Sequence, residues 1–217
     1  MQPRQIFLLS PAHSGGKRAE FLHNPRARFE LALKLRTPQG AELGETFSFL
    51  SGLYFRGKLA YSRAFARPPK GCDGAYVITT DRGLVPPQTL VTLDDLRAMG
   101  STPIDSLDPR YAKPLERNLA ELAECAGSRC PFVLLGSVAT GKYVDILKRI
   151  LGPRLLFPSE FVGRGDMSRG GLMLRCAEEK RELEYVPIDG AVRHGKRPPK
   201  LVPKPGILIR ALQEPPV

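Results

Sequence analysis

Residues 155–172 read LLFPSEFVGRGDMSRGGL. Three apolar residues, Leu155 to Phe157, run into Pro158, whose missing N–H ends ladder pairing. Within the twelve residues that start at Glu160, four glycines (Gly163, Gly165, Gly170, Gly171) are mixed with Arg164, Arg169, Glu160 and Asp166. Glycine lets backbone approach a ligand closely or adopt positive φ. Arginine matches phosphate or carboxylate geometry, and a carboxylate can serve a reaction that builds positive charge. The stretch reads as a strand whose carboxyl end opens into a functional loop. A solvated Gly/Arg loop without a ligand is the plainer reading of the same residues.

Working outward, three other runs have the same strand character: QIFLL at 5–9, AYVITT at 75–80 and FVLL at 132–135. Short apolar or β-branched runs of this kind suit strands covered on both faces. Helices are expected over 17–23, 53–66 and 92–99, the last opened by the capping-box spacing of Thr92 and Asp95. A longer helix begins at Asp108-Pro109, carries Leu115, Leu119, Leu122 and Ala126 at helical spacing, and closes at Gly127. Another ends at Leu151 before Gly152-Pro153, while 28–35 fits a strand or a helix equally well. Two further strands are expected over 172–176 and 182–188, joined by the charged turn 178–181. Alternating strands and helices predict an α/β fold: three α/β/α layers around a central, mainly parallel sheet of about four strands. Residues 1–192 form a single domain on this reading. Residues 193–217 are a basic, Pro-rich tail, extended and either disordered or laid on an anionic partner.

In such sheets ligands bind beyond the carboxyl ends of the strands. Four loops there, after Leu9, Thr80, Leu135 and Phe157, all combine Gly with polar or charged residues. The first, SPAHSGGKR at 10–18, offers Ser10, His13, Lys17, Arg18 and free backbone N–H groups, which suits an anion or a sugar-phosphate. The second contains Asp81, Arg82 and Gly83. The third, GSVATGK at 136–142, satisfies GxxxxGK between a strand and a helix, but Tyr143 stands where a nucleotide-binding P-loop needs Ser or Thr for magnesium. Without a nucleotide, the same helix N-terminus and Lys142 can hold a DNA phosphate. No GxSxG elbow supports a serine-hydrolase triad.

The chain carries 33 Lys+Arg against 22 Asp+Glu, a formal +11, so a polyanionic partner is expected, nucleic acid before membrane surface. No run approaches the roughly 18 to 20 apolar residues of a bilayer span, and the N-terminus lacks the pattern of a cleaved signal, which places the protein in the cytosol. Cys72, Cys125, Cys130 and Cys176 are scattered, without CxxC or nearby His pairs, and read as reduced thiols with no metal site and no disulfide frame. Phe47, Phe49, Tyr54 and Phe55 either stack on a base or belong to the core.

These strand-end loops resemble those of the uracil-DNA glycosylase superfamily. The branch in question includes domains associated with archaeosine synthesis and a DNA glycosylase implicated in bacterial defence against phages with modified bases. The resemblance rests on the strand and turn at 7–16, on LLGSVA at 134–139 and on FPS at 157–159, with 163–171 as the loop that enters the DNA groove. It implies the superfamily's three-layer fold and base excision from DNA, with no cofactor. Two departures, Phe157 at the position of the family's motif His and the absence of an Asp or Asn from the first loop, imply a changed substrate and changed acid/base placement.

The expected activity is a monofunctional DNA glycosylase that flips a base, of a modified kind, into a pocket and leaves an abasic site. Its carboxylate comes from Asp166 or Glu160, then Asp81, with His13 or Ser10 as donor to the departing base. Phe47, Phe49, Ser137, Phe157 and Ser159 line the pocket, and Lys17, Arg18, Lys142, Arg164 and Arg169 bind phosphates. Two other classes fit the same residues: a non-catalytic nucleic-acid-binding or RNA-modification accessory protein, and a P-loop phosphotransferase.

Overall fold

Four apolar runs make the parallel centre of a six-stranded sheet, in a computed structural model that describes residues 3–138, 141–192, 195–199 and 201. In chain order the strands are β1 (Ile6–Leu9), β2 (Ala41–Glu42), β3 (Ala75–Ile78), β4 (Leu84–Val85), β5 (Leu90–Val91), β6 (Phe132–Leu135), β7 (Leu155–Pro158) and β8 (Tyr185–Pro187). The α-helices are α1 (Lys17–His23), α2 (Glu30–Leu35), α3 (Leu43–Ser51), α4 (Leu53–Phe65), α5 (Leu93–Ser101), α6 (Pro109–Cys125), α7 (Gly141–Leu151) and α8 (Asp166–Glu179). The sheet runs β4-β3-β1-β6-β7-β8. β1 pairs in parallel with β3 and β6, and β6 with β7, while β4 and β8 add an antiparallel strand at each edge. β2 and β5 form a separate two-residue ladder.

The twofold alternation of a strand splits the core into two layers. Phe7, Leu9, Val77, Val133 and Leu135 face α1 to α5 and α8. Ile6, Leu8, Ile78, Phe132, Leu134 and Phe157 face α6 and α7. The expected α/β class with a mainly parallel sheet is therefore present. Six strands replace about four because the residues after Gly83 turn straight back onto β3 as β4, and β8 returns along β7.

Three expectations need correcting. The expected strand over 172–176 is the second half of α8, and the expected strand over 182–188 shortens to β8. The presumed loop over 163–171 becomes helix from Asp166 onward, and Gly170 has a packing reason. A Cβ on Gly170 would lie 2.6 Å from the carbonyl oxygen of Leu53, and one on Gly57 would lie 2.6 Å from the carbonyl oxygen of Gly170. α4 and α8 cross with backbone against backbone, a contact that any larger residue forces apart. The ambiguous 28–35 segment resolves as helix α2. Of the tail, 195–199 and 201 are described. Lys196 passes Gly163, and Leu201 packs against the core near Gly171, so this part returns to the domain. Residues 193, 194, 200 and 202–217 lie outside the described residues.

The backbone contact between α4 and α8 predicts that Gly170→Ala lowers the free energy of unfolding by about 1–3 kcal/mol, the usual cost of forced overpacking. Urea denaturation of the variant beside the parent measures it, and an unchanged midpoint contradicts the close approach.

Candidate functional site

The chain leaves β1 and β6 in opposite directions: β1 leads to the helices on one face of the sheet, β6 into α7 on the other. Their carboxyl ends therefore flank the point where the winding reverses, the place at which open α/β sheets bind ligands. Ser10 is the first residue beyond β1, and its N–H donates to the Leu135 carbonyl at 3.2 Å. Gly136, the first residue beyond β6, lets the two ends close together. A Cβ there would lie 2.8 Å from Ser10 Cβ and 2.9 Å from Tyr143 Oη.

Onto this junction α4 delivers Lys58, which is 0% exposed. Its Nζ donates to the Ser10 carbonyl at 2.9 Å, lies 2.8 Å from Ser10 Oγ, and sits 3.9 Å from the centre of the Tyr54 ring one turn earlier. Burial lowers the Lys58 pKa to about 7; Asp166 acts to raise it and Arg169 to lower it further. Tyr143, from the first turn of α7, donates its hydroxyl to the Ser137 carbonyl at 2.9 Å and also interacts with Ser10. This explains why the GxxxxGK match carries a tyrosine: Tyr143 is buried and braces the loop after β6. Residues 139 and 140 of that motif lie outside the described residues.

α8 supplies the charged rim. Arg169 is 9% exposed and gives Nε and Nη2 to the Phe161 carbonyl at 3.2 and 3.1 Å. Its Nη1 lies 3.6 Å from Oδ1 of Asp166, whose side chain is 66% exposed at the start of the helix. Tyr54 Oη is buried, with the Arg169 side chain as the hydrogen-bonding group beside it. Burial pushes the Tyr54 pKa up, and the charge of Arg169 opposes that shift. The result is a dense group of hydroxyls and cations, with one accessible carboxylate above them.

Among the sequence-predicted residues, Ser10, Ser137, Asp166 and Arg169 are thus brought into one electrostatic neighbourhood. Asp81 follows β3 on the same sheet edge. Arg82 lies 3.3 Å from Asp81 Oδ2 and also bonds Asp95, while Asp81 Oδ1 is buried without a partner. Glu160 Oε1 lies 3.5 Å from Arg181, and Arg164 bonds the Glu160 carbonyl and Ser168. Ser159 bonds the Glu184 carbonyl through its N–H. His13, Lys17 and Lys142 are exposed, and Arg18 donates to the Phe49 carbonyl at 3.0 Å. Phe47 packs edge-on against Phe55 inside the core, Phe49 stacks on Phe29 with centres 5.4 Å apart, and Phe157 is fully buried between strand and helix layers.

The residues that organise the junction, Lys58, Tyr54 and Tyr143, are not those the motifs single out. One signal for Lys58 is present in the sequence: it shares the stripe Tyr54-Lys58-Tyr61-Phe65, whose other members are all buried aromatics. Among the described residues, no group of three or more His, Cys, Asp or Glu side chains could hold a metal ion, and no helix is long and apolar enough to cross a membrane. Compared with protein-family models, with curated proteins and with solved structures, the chain has no match.

The depressed Lys58 pKa has a consequence for stability. Between about 7 and its ordinary 10.5 the unfolded chain binds a proton that the folded chain does not. Stability therefore rises with pH through that window. Thiols with raised pKa values, Cys72 and Cys130, oppose the rise near and above their ordinary 9.0, and tyrosines such as Tyr143 near and above their ordinary 10.0. Urea midpoints measured from neutral to mildly alkaline pH should increase, and Lys58→Met should flatten the curve. A parent midpoint that does not change over this range contradicts a lysine held mostly neutral.

Proposed function

We propose that the chain is a nucleic-acid N-glycosidase whose reaction centre is the junction between β1 and β6. One observation carries this reading: the accessible Asp166 carboxylate stands beside the buried guanidinium of Arg169, with the enclosed Lys58 amine in electrostatic reach, at the end of the parallel strands. Cleavage of a glycosidic C–N bond separates charge. The sugar becomes oxocarbenium-like, and the departing base carries electron density away. A carboxylate at the rim opposes the first charge, and inward hydrogen-bond donors oppose the second. Preorganised groups of this kind act without reorganising during the reaction.

In this reading Asp166 stabilises the sugar cation or orients water, while Arg169, Tyr143 and Ser10, with Lys58 behind it, accommodate the base. Arg169 then leaves the phosphate-binding set, because its guanidinium is enclosed and already bonded to Phe161. Lys17, Arg18, Lys142 and Arg164 remain for the backbone. The +11 charge supports a polyanionic substrate, and the resemblance of the strand-end loops to uracil-DNA glycosylases points to the same bond. The enclosed Phe157 does not offer its ring to a flipped base, so in this reading contact with the base falls to the residues of the junction.

The decisive measurement is abasic-site formation over DNAs carrying normal, deaminated and hypermodified bases. The parent protein should release at least one base class, and Asp166→Asn should slow that release by about 10²- to 10³-fold with DNA affinity retained. Tight binding with no abasic product on any substrate replaces the enzyme with a binding protein. Full turnover by Asp166→Asn removes Asp166 from the chemistry.

The same preparation tests the backbone contacts. With four phosphates neutralised, log affinity against log salt should have a slope of roughly −4, from about −0.9 per phosphate. A flat salt dependence contradicts the assignment of those four side chains.

A further inference from the structure

The cysteines are scattered along the sequence, but two of them meet. Cys72 lies in the turn that precedes β3, its N–H bonded to the Pro69 carbonyl, and Cys125 is the last residue of α6. Their Sγ atoms are 3.2 Å apart, with Cys125 exposed and Cys72 half-buried. The Cys125 thiol also faces the Gly71 carbonyl at 3.8 Å, so both residues bear on the same turn. Cys130 and Cys176 are enclosed in the two core layers and serve packing. The sequence separation had argued against a disulfide; the fold removes that argument by bringing the end of α6 back beneath the start of β3.

We propose that Cys72 and Cys125 are a thiol-oxidation site that closes to an intramolecular disulfide in the presence of a peroxide. The exposed Cys125 thiolate attacks one peroxide oxygen, the O–O bond breaks, and the departing hydroxide takes up the thiol proton as water. This leaves a sulfenic acid on Cys125. The Cys72 sulfur then attacks the Cys125 sulfur, the S–O bond breaks, and a second water leaves with the Cys72 proton. The two sulfurs together supply the two electrons that reduce the peroxide. Burial, then the neighbouring Cys125, raise the Cys72 thiol pKa to about 11, so the exposed Cys125 meets the peroxide first and Cys72 gives up its proton only as it attacks the sulfenic sulfur.

The bond would join residues 53 apart in sequence. Closing a long loop restricts the unfolded chain, so the oxidised protein should be the more stable form. The site lies at the amino ends of β3 and β6, opposite the junction that contains Ser10 and Lys58, so the oxidation state should set stability without altering the proposed reaction centre.

The test uses the full chain treated with hydrogen peroxide, then denatured and alkylated. Free thiols should fall from four to two, peptide mapping should join Cys72 to Cys125, and the melting temperature should rise by several degrees and return on treatment with dithiothreitol. Cys72→Ser, at a partly exposed turn position, should melt normally when reduced and show no rise with peroxide. Four surviving thiols overturn the proposal. So does a thiol loss that maps to Cys130, Cys176 or a dimer through Cys125, or a bridged protein whose melting temperature is unchanged.

Discussion

A lysine amine without access to water must find its hydrogen-bond partners inside the fold or lose its charge. Lys58 does some of each. It bonds the carbonyl and hydroxyl of Ser10 where β1 stops, and its affinity for a proton falls to near neutrality. That contact fixes how α4 lies on the sheet. At the far end of the same helix, Gln5, just ahead of β1, donates its side-chain amide to the Phe65 carbonyl at 2.9 Å. α4 is tied to β1 at both ends, and α8 is then located by its backbone contact with α4 through Gly57 and Gly170. The positions of Asp166 and Arg169 follow from that stack, so the rim of the site depends on the buried lysine.

Parts of this fold are legible in the sequence because they obey local rules. The four parallel strands are apolar runs that need burial on both faces, and each is present where its pattern predicts. Thr92 and Asp95 form a true reciprocal cap, and Asp108 with Pro109 starts α6. Where the sequence misleads, a tertiary demand has overridden propensity. Gly170 and Gly171 make a poor isolated helix, yet α8 needs Gly170 without a side chain to meet α4. Phe157, read as a pocket residue, is core, and so is Phe47, for which base stacking and core were both open, since their strand and helix present them inward. The β4 strand is only two residues long and is stabilised by its turn, Thr79 bonding Gly83 through both N–H and hydroxyl, so no periodicity could announce it.

The candidate site was half legible for a related reason. The rule that ligands gather at strand ends directs attention to Ser10, Ser137 and Asp166, and the topology does place the ends of β1 and β6 side by side. It says nothing of which helix covers them. Lys58 belongs to no motif, and Tyr54 fits a stacking aromatic or a core residue equally well, because a helix face is assigned by its neighbours and theirs are mixed. Tyr143 looks like a defect in a phosphate-binding motif. Only with α7 in place does it become the brace that ties Ser137 to Ser10.

The distribution of satisfied and unsatisfied polar groups argues for where a ligand belongs. Around the amino end of β1, a polar network is closed. Arg67 forks onto Glu182 with two bonds of 3.0 Å, Gln5 and Tyr185 also bond Glu182, and the hydroxyls of Tyr61 and Tyr185 meet at 2.6 Å. Such a network specifies structure and leaves nothing to recruit. At the carboxyl edge the bookkeeping is open: Asp81 Oδ1 is buried without a partner, as are atoms of His23, Arg56 and Tyr111 elsewhere among the described residues, and a lysine is enclosed at a cost in stability. Buried groups left unpaired cost about 1–3 kcal/mol each, a cost that a ligand bound at this edge would offset. An enclosed lysine and an unpaired carboxylate oxygen at this edge are the physical reason to propose a ligand near the ends of β1, β3 and β6, and that reason does not depend on any sequence motif.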